Sequence, residues 1–139
     1  MRLAFAAIGF IAAATLSGSA DACRCAFRSL PEYFDAADHV FLAEIREIHT
    51  EHSADLDYRV VTKFITLETF KGSPTELTSI RSREGECNLR YPLTPGERAL
   101  VFIRKGMAEP CGGTWRYDAK RDRDEIKQLR QLRQQHTRP

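Results

Sequence analysis

The chain has 139 residues, with 21 Lys and Arg against 19 Asp and Glu, four cysteines and one tryptophan. A formal charge of +2 calls for neither a nucleic acid nor an anionic membrane surface as partner. The length fits one domain behind a leader, and no run reaches the about 20 apolar residues that a membrane span needs.

Residues 1–22 read as a secretory signal. Arg2 supplies the early positive charge, Leu3 to Ala14 the apolar stretch, and Ala20-Asp21-Ala22 an A-x-A cleavage site. The apolar stretch is too short for an anchor, and Asp21 and Ala20 argue against lipid attachment at Cys23. Cleavage after Ala22 makes Cys23 the first residue of the mature domain, 23–139. The expected location is extracytoplasmic, secreted or periplasmic, where thiols pair.

Cys23 and Cys25 then crowd the new N-terminus, far from Cys87 and Cys111. Four cysteines allow three connectivities. Residues two apart rarely meet disulfide geometry, which disfavours Cys23–Cys25 and leaves two long-range pairings open. Either one staples the N-terminus to the body of the domain. The spacing does not suit a zinc site built on C-x2-C pairs.

Ser29 and Glu32 form a capping box that predicts a short helix from Leu30 to Ala37, with Tyr33, Phe34 and Ala37 toward the core. His39 to His49 predicts a strand, apolar on both faces at first and alternating later, with a bulge near Glu47. Thr50 to Asp57 is polar and reads as a loop. Tyr58 to Phe70 predicts the longest strand, with Tyr58, Val60, Thr62, Phe64 and Thr66 on one face and Val61, Lys63, Ile65 and Leu67 on the other. A turn at Lys71-Gly72-Ser73-Pro74 follows, then strands at Leu77 to Arg83 and Arg98 to Arg104, and a short fifth one within Met107 to Tyr117.

Asp122 to Gln135 predicts a terminal helix with acids in its first turn and Arg130 and Arg133 near its end, a polarity that suits the helix dipole. Ile126, Leu129 and Leu132 form its apolar stripe. Lys120, Arg121, Arg123, Lys127, Arg130 and Arg133 form a basic side that reads as a solvated face, with an acidic partner as the sharper reading. This order of elements predicts a mainly β domain: a five-stranded OB-like antiparallel barrel with a short N-terminal and a longer C-terminal helix.

No catalytic motif is present, so no enzymatic role is expected, and no cofactor. His49, Glu51 and His52 lack a further ligand nearby and read as loop residues. Arg81, Arg83, Arg90 and Arg98 can line a barrel face, but export and the scarcity of exposed aromatics argue against nucleic acid.

Cys23-x-Cys25, the run Ala37-Asp38-His39-Val40-Phe41-Leu42-Ala43, the strand end Phe70-Lys71-Gly72, Cys87 before Pro95-Gly96, Ala99-Leu100-Val101-Phe102 and Cys111 together resemble the netrin-module superfamily. Within it the chain is most similar to the tissue inhibitors of metalloproteinases. The resemblance spans nearly all of Cys23 to Trp115 and implies the pairs Cys23–Cys87 and Cys25–Cys111. It also implies that Cys23 chelates a target's catalytic zinc through its α-amine and carbonyl oxygen. Arg24 would face the target's specificity pocket, with Gly85 and Glu86 alongside. Two positions depart from the pattern: Arg24 replaces a small polar residue, and Asn88 stands where glycine is usual. The expected partner is a zinc metallopeptidase. The alternative is a non-inhibitory module that binds an envelope or extracellular protein.

Overall fold

The structure is a computed structural model that describes residues 25–52, 58–74, 79–83, 93–108 and 111–137. Helix α1 spans Leu30–Ala36, and strands β1 His39–His52, β2 Tyr58–Lys71, β3 Ser79–Arg83, β4 Arg98–Ile103 and β5 Trp115–Arg116 follow; helix α2, Arg123–His136, comes last. The strands form one antiparallel sheet in the order β3-β2-β1-β4-β5.

Much of the first half of β1 and β4 after Arg98 are apolar on both faces because both faces are covered. Val40 and Leu42 of β1 and Leu100 and Phe102 of β4 pack with Phe34 of α1 and with Ile126 and Leu129 of α2. Alternating with them, Phe41, Ala43 and Ile45 of β1 and Val101 and Ile103 of β4 pack against Ile80 of β3, Leu93 and Ala108. The helices thus cover one face, and the curl of the sheet covers the other.

The capping box holds α1 at its start: the Glu32 carboxylate accepts from the Ser29 N–H and hydroxyl, both at 2.7 Å. At its other end, Lys71 Nζ of β2 donates to the free carbonyls of Phe34 and Asp35 at 2.8 and 3.1 Å. A cation supplied from a distant strand therefore satisfies that helix terminus. The bulge expected near Glu47 is present as a register shift between Ile45 and Glu47 in the β1–β2 ladder.

Two expectations need correction. β1 continues to His52, with Thr50, Glu51 and His52 opposite Val60, Arg59 and Tyr58. Those residues read as loop in sequence because they are polar, whereas here their backbone pairing to β2 sets the structure. Burial along β2 varies with what covers it. Val61 and Thr62 are both buried, while Ile65 and Leu67 stay about half exposed.

The second correction concerns closure, because the sheet is open rather than a closed barrel. Part of the reason lies at the outer edge of β4. There the Thr114 hydroxyl accepts from the Phe102 N–H at 3.0 Å and donates to the Phe102 carbonyl at 3.3 Å. A side chain, not a strand, satisfies that stretch of edge. Among the described residues, only single-residue bridging links the chain after β4 to β3: Arg81 pairs in parallel with Met107, and the Ala108 N–H donates to the Arg81 carbonyl at 3.0 Å.

Candidate binding cleft

A disulfide joins Cys25 to Cys111, with 5.3 Å between their Cα atoms and a sequence separation of 86. It pins the segment ahead of α1 to the segment ahead of β5. Of the expected site residues, Cys23, Arg24, Gly85, Glu86 and Cys87 lie outside the described residues. The structure therefore bears on one of the two expected pairs, Cys25–Cys111, which is present.

Beside the bridge lies an open cleft of about 420 Å³. The segment Cys25–Arg28, α1, the chain before and into β5, and the start of α2 surround it. Its apolar surface comes mainly from Phe27, Leu30, Tyr33 and Trp115. Phe27 is 91 % exposed, an unusual position for a phenylalanine with nothing over it.

Packing below the cleft fixes its aromatic wall. Trp115 stacks on the buried Phe102 with centroids 5.6 Å apart and an interplanar angle of 24°. The Tyr33 ring tilts at 59° to the same phenylalanine, with centroids 6.1 Å apart. Gly113 lets the chain pass beneath Tyr33: its φ is +96°, and a Cβ there would lie 2.8 Å from the tyrosine ring.

The acidic side of the cleft comes from the first turn of α2. Asp122 is buried, and its carboxylate accepts from Trp115 Nε1 at 3.3 Å, the Asp118 N–H at 2.8 Å, and Arg121 Nε and Nη2 at 2.6 and 2.9 Å. Burial pushes the Asp122 carboxyl up, but the Arg121 side chain, the Asp118 N–H and the Trp115 indole outweigh it, so the group sits below its ordinary value. Arg121 also donates to the Arg116 carbonyl at 2.8 Å.

Glu125 differs from Asp122. Its Oε2 is buried and has no hydrogen-bond partner among the described residues. A glutamate at the third position of a helix often accepts from the N-cap N–H. Here the Asp122 N–H donates to the Asp118 carbonyl at 2.8 Å instead, so that role is filled.

The remaining candidates are dispersed. His49 lies on β1, not in a loop, 3.5 Å from Glu47 and 3.4 Å from Glu51. No group of three metal-ligating side chains occurs among the described residues. Arg81 on β3 and Arg98 on β4 are separated by two strands in the sheet order. The basic side of α2 is partly turned inward. Arg130 binds Glu68 of β2 through two hydrogen bonds of 2.9 and 2.8 Å, and Arg133 donates to the Thr69 carbonyl at 2.9 Å. No described helix is long and apolar enough to cross a membrane.

The sequence reading missed Tyr33, Trp115 and Glu125 as one site, because they come from three separate stretches of chain. The one available signal was the sole tryptophan next to Cys111-Gly112-Gly113. Comparisons with protein-family models and with curated proteins return no match for this chain.

Proposed function

We propose that the protein is an exported metalloendopeptidase inhibitor whose mature N-terminal residue, Cys23, chelates the target's catalytic zinc through its α-amine and carbonyl oxygen. The observation that carries this reading is the Cys25–Cys111 bridge. Of the three intrachain pairings open to four cysteines, only one contains that pair, and its other member is Cys23–Cys87. Two bridges would then hold a chelating residue at a rigid terminus, which lowers the entropic cost of binding. An α-amine loses its proton near neutral pH, with an ordinary value of about 7.7–8.0, so it can replace the water at a zinc's open position. Arg24 would enter the target's pocket, and its charge favours a pocket that carries an acid. A disulfide also fits an oxidising compartment outside the cytoplasm. The inward-packed cluster around Phe41 and the Arg81–Met107 bridge support reading the curled sheet as an incomplete OB-like barrel.

The test begins with intact mass and non-reducing peptide mapping of the exported protein, followed by inhibition assays against a panel of zinc endopeptidases. The expected result is a chain starting at Cys23 and an inhibition that disappears when its α-amine is acetylated. A different start, or inhibition indifferent to acetylation, would sink the chelation reading. A second reading, a non-inhibitory interaction module, is favoured by the cleft itself, which is open, partly aromatic and needs no metal.

A further inference from the structure

We infer that the cleft between α1, β5 and α2 is a receptor for a basic side chain, arginine foremost, presented by a partner polypeptide. The inference uses neither the Cys23 amine nor a metal, and it stands under either reading above.

The chemistry follows from the charges that line the cleft: Arg28, Arg121, Asp122 and Glu125. Asp122 and Arg121 are spent on one another and on surrounding groups, with four donors converging on the Asp122 carboxylate. Arg28 is exposed and acts on Glu32, whose carboxyl is held down first by hydrogen bonds from Ser29 and then by this cation. Glu125 is left over. A buried carboxylate oxygen without a donor is costly; Glu125 as a residue is only partly buried and lines the cleft, so a turn of its carboxylate brings that oxygen to a partner's donor and relieves the cost. The helix dipole explains an acid in the first turn of α2 but not the burial of Oε2.

The walls narrow the choice of cation. Tyr33 and Trp115 line the same cleft as Glu125 with aromatic surface, and Leu30 offers a surface for the aliphatic stem. A guanidinium is planar, stacks on aromatic faces and donates to a carboxylate along defined directions; an ammonium is compact and more strongly hydrated. A basic side chain meets both requirements at once, whereas an acidic one would face Glu125 and a purely apolar one would leave it unpaired.

Trp115 is the only tryptophan, so its emission reports on the cleft directly. The full exported protein is titrated with N-acetylarginine methylamide and, separately, with the neutral isostere N-acetylcitrulline methylamide. The same titrations are run on Glu125→Gln and on Asp124→Asn, which removes an equal charge from a side chain 91 % exposed on the same turn. The expected result is saturable binding of the arginine probe, roughly tenfold or more tighter than the citrulline probe. Glu125→Gln should erase that preference and Asp124→Asn should leave it. Glu125→Gln is nearly isosteric and breaks no hydrogen bond among the described residues, and equal thermal unfolding of the variants checks that they fold. Equal affinity for the two probes, a preference that survives Glu125→Gln, or no saturable binding to the folded protein would each overturn the inference.

Discussion

The indole Nε1 of Trp115 donates to Oδ2 of Asp122 at 3.3 Å, which ties the start of α2 to the last strand of the sheet. The same carboxylate also accepts from the Asp118 N–H and from Arg121, so one buried side chain fixes both the aromatic wall and the acidic side of the cleft. Asp122→Ala leaves the indole and the Asp118 N–H without an acceptor. The expected cost is about 2–3 kcal/mol in denaturant unfolding, with a shift in Trp115 emission. Asp122→Asn keeps an acceptor oxygen and should cost less. Equal losses for the two variants would mean that the carboxylate is not what holds this corner together.

Glu68 joins β2 to α2 in a different way, through the two hydrogen bonds from Arg130 with Arg133 also nearby. The Arg130 hydrogen bonds hold its carboxyl below the ordinary value of 4.5, and burial opposes them. A carboxyl depressed in the folded state favours folding wherever it is ionised. That contribution is therefore present above pH 4.5 and is lost as pH falls through the depressed folded value. Glu68→Gln should cost about 1 kcal/mol at neutral pH, since the pair is partly exposed, and nothing once the native carboxylate is protonated. Urea unfolding of both proteins across that range checks the sign. A difference that grows in acid would refute the pairing as a source of stability.

Much of the fold was legible because local rules and tertiary packing agree. The Ser29–Glu32 box marked α1, the alternation from Tyr58 marked β2, and acids before bases marked α2. The bulge near Glu47 was visible because the alternation of Ile45 and Ile48 breaks phase there. What escaped the reading depends on contacts between residues remote in sequence. The pairing of Thr50 to His52 rests on the backbone of β2, and the outer edge of β4 at Phe102 is met by one hydroxyl, that of Thr114. Most of the basic side of α2 is exposed, but its tie to β2 was not visible along the chain because Glu68 lies 62 residues away from Arg130. The cleft joins Tyr33, Trp115 and Glu125 with no periodic spacing between them, and no pattern search along the chain could have assembled it.

Cys25–Cys111 closes a span of 86 residues. On the chain-entropy account, replacing both with serine should cost about 2–4 kcal/mol, seen as a lower unfolding midpoint. A second effect separates a local role from a global one. The bridge holds one wall of the cleft, so the double variant, still folded at low temperature, should leave Trp115 more open to acrylamide quenching. If quenching is unchanged while stability falls, the bridge only constrains the unfolded chain and does not shape the cleft.

Two glycines distinguish backbone strain from steric contact at the cleft. Gly113 and Gly96 have similar positive φ values, +96° and +89°, so alanine at either position carries the same kind of backbone penalty, about 1 kcal/mol or more. The surroundings differ. A Cβ on Gly96 meets nothing within 4 Å, whereas one on Gly113 lies 2.8 Å from two ring carbons of Tyr33. Gly96→Ala therefore measures the backbone cost alone, and Gly113→Ala adds displacement of Tyr33. We expect Gly113→Ala to be the more destabilising by about 1–2 kcal/mol, in line with overpacking elsewhere. It should also perturb the cleft, while Gly96→Ala leaves Trp115 emission as it is. Equal costs would mean that Tyr33 moves aside freely. A tyrosine that moves so easily would not be a fixed wall, and the cleft would lose the rigid aromatic surface on which recognition of a planar cation depends.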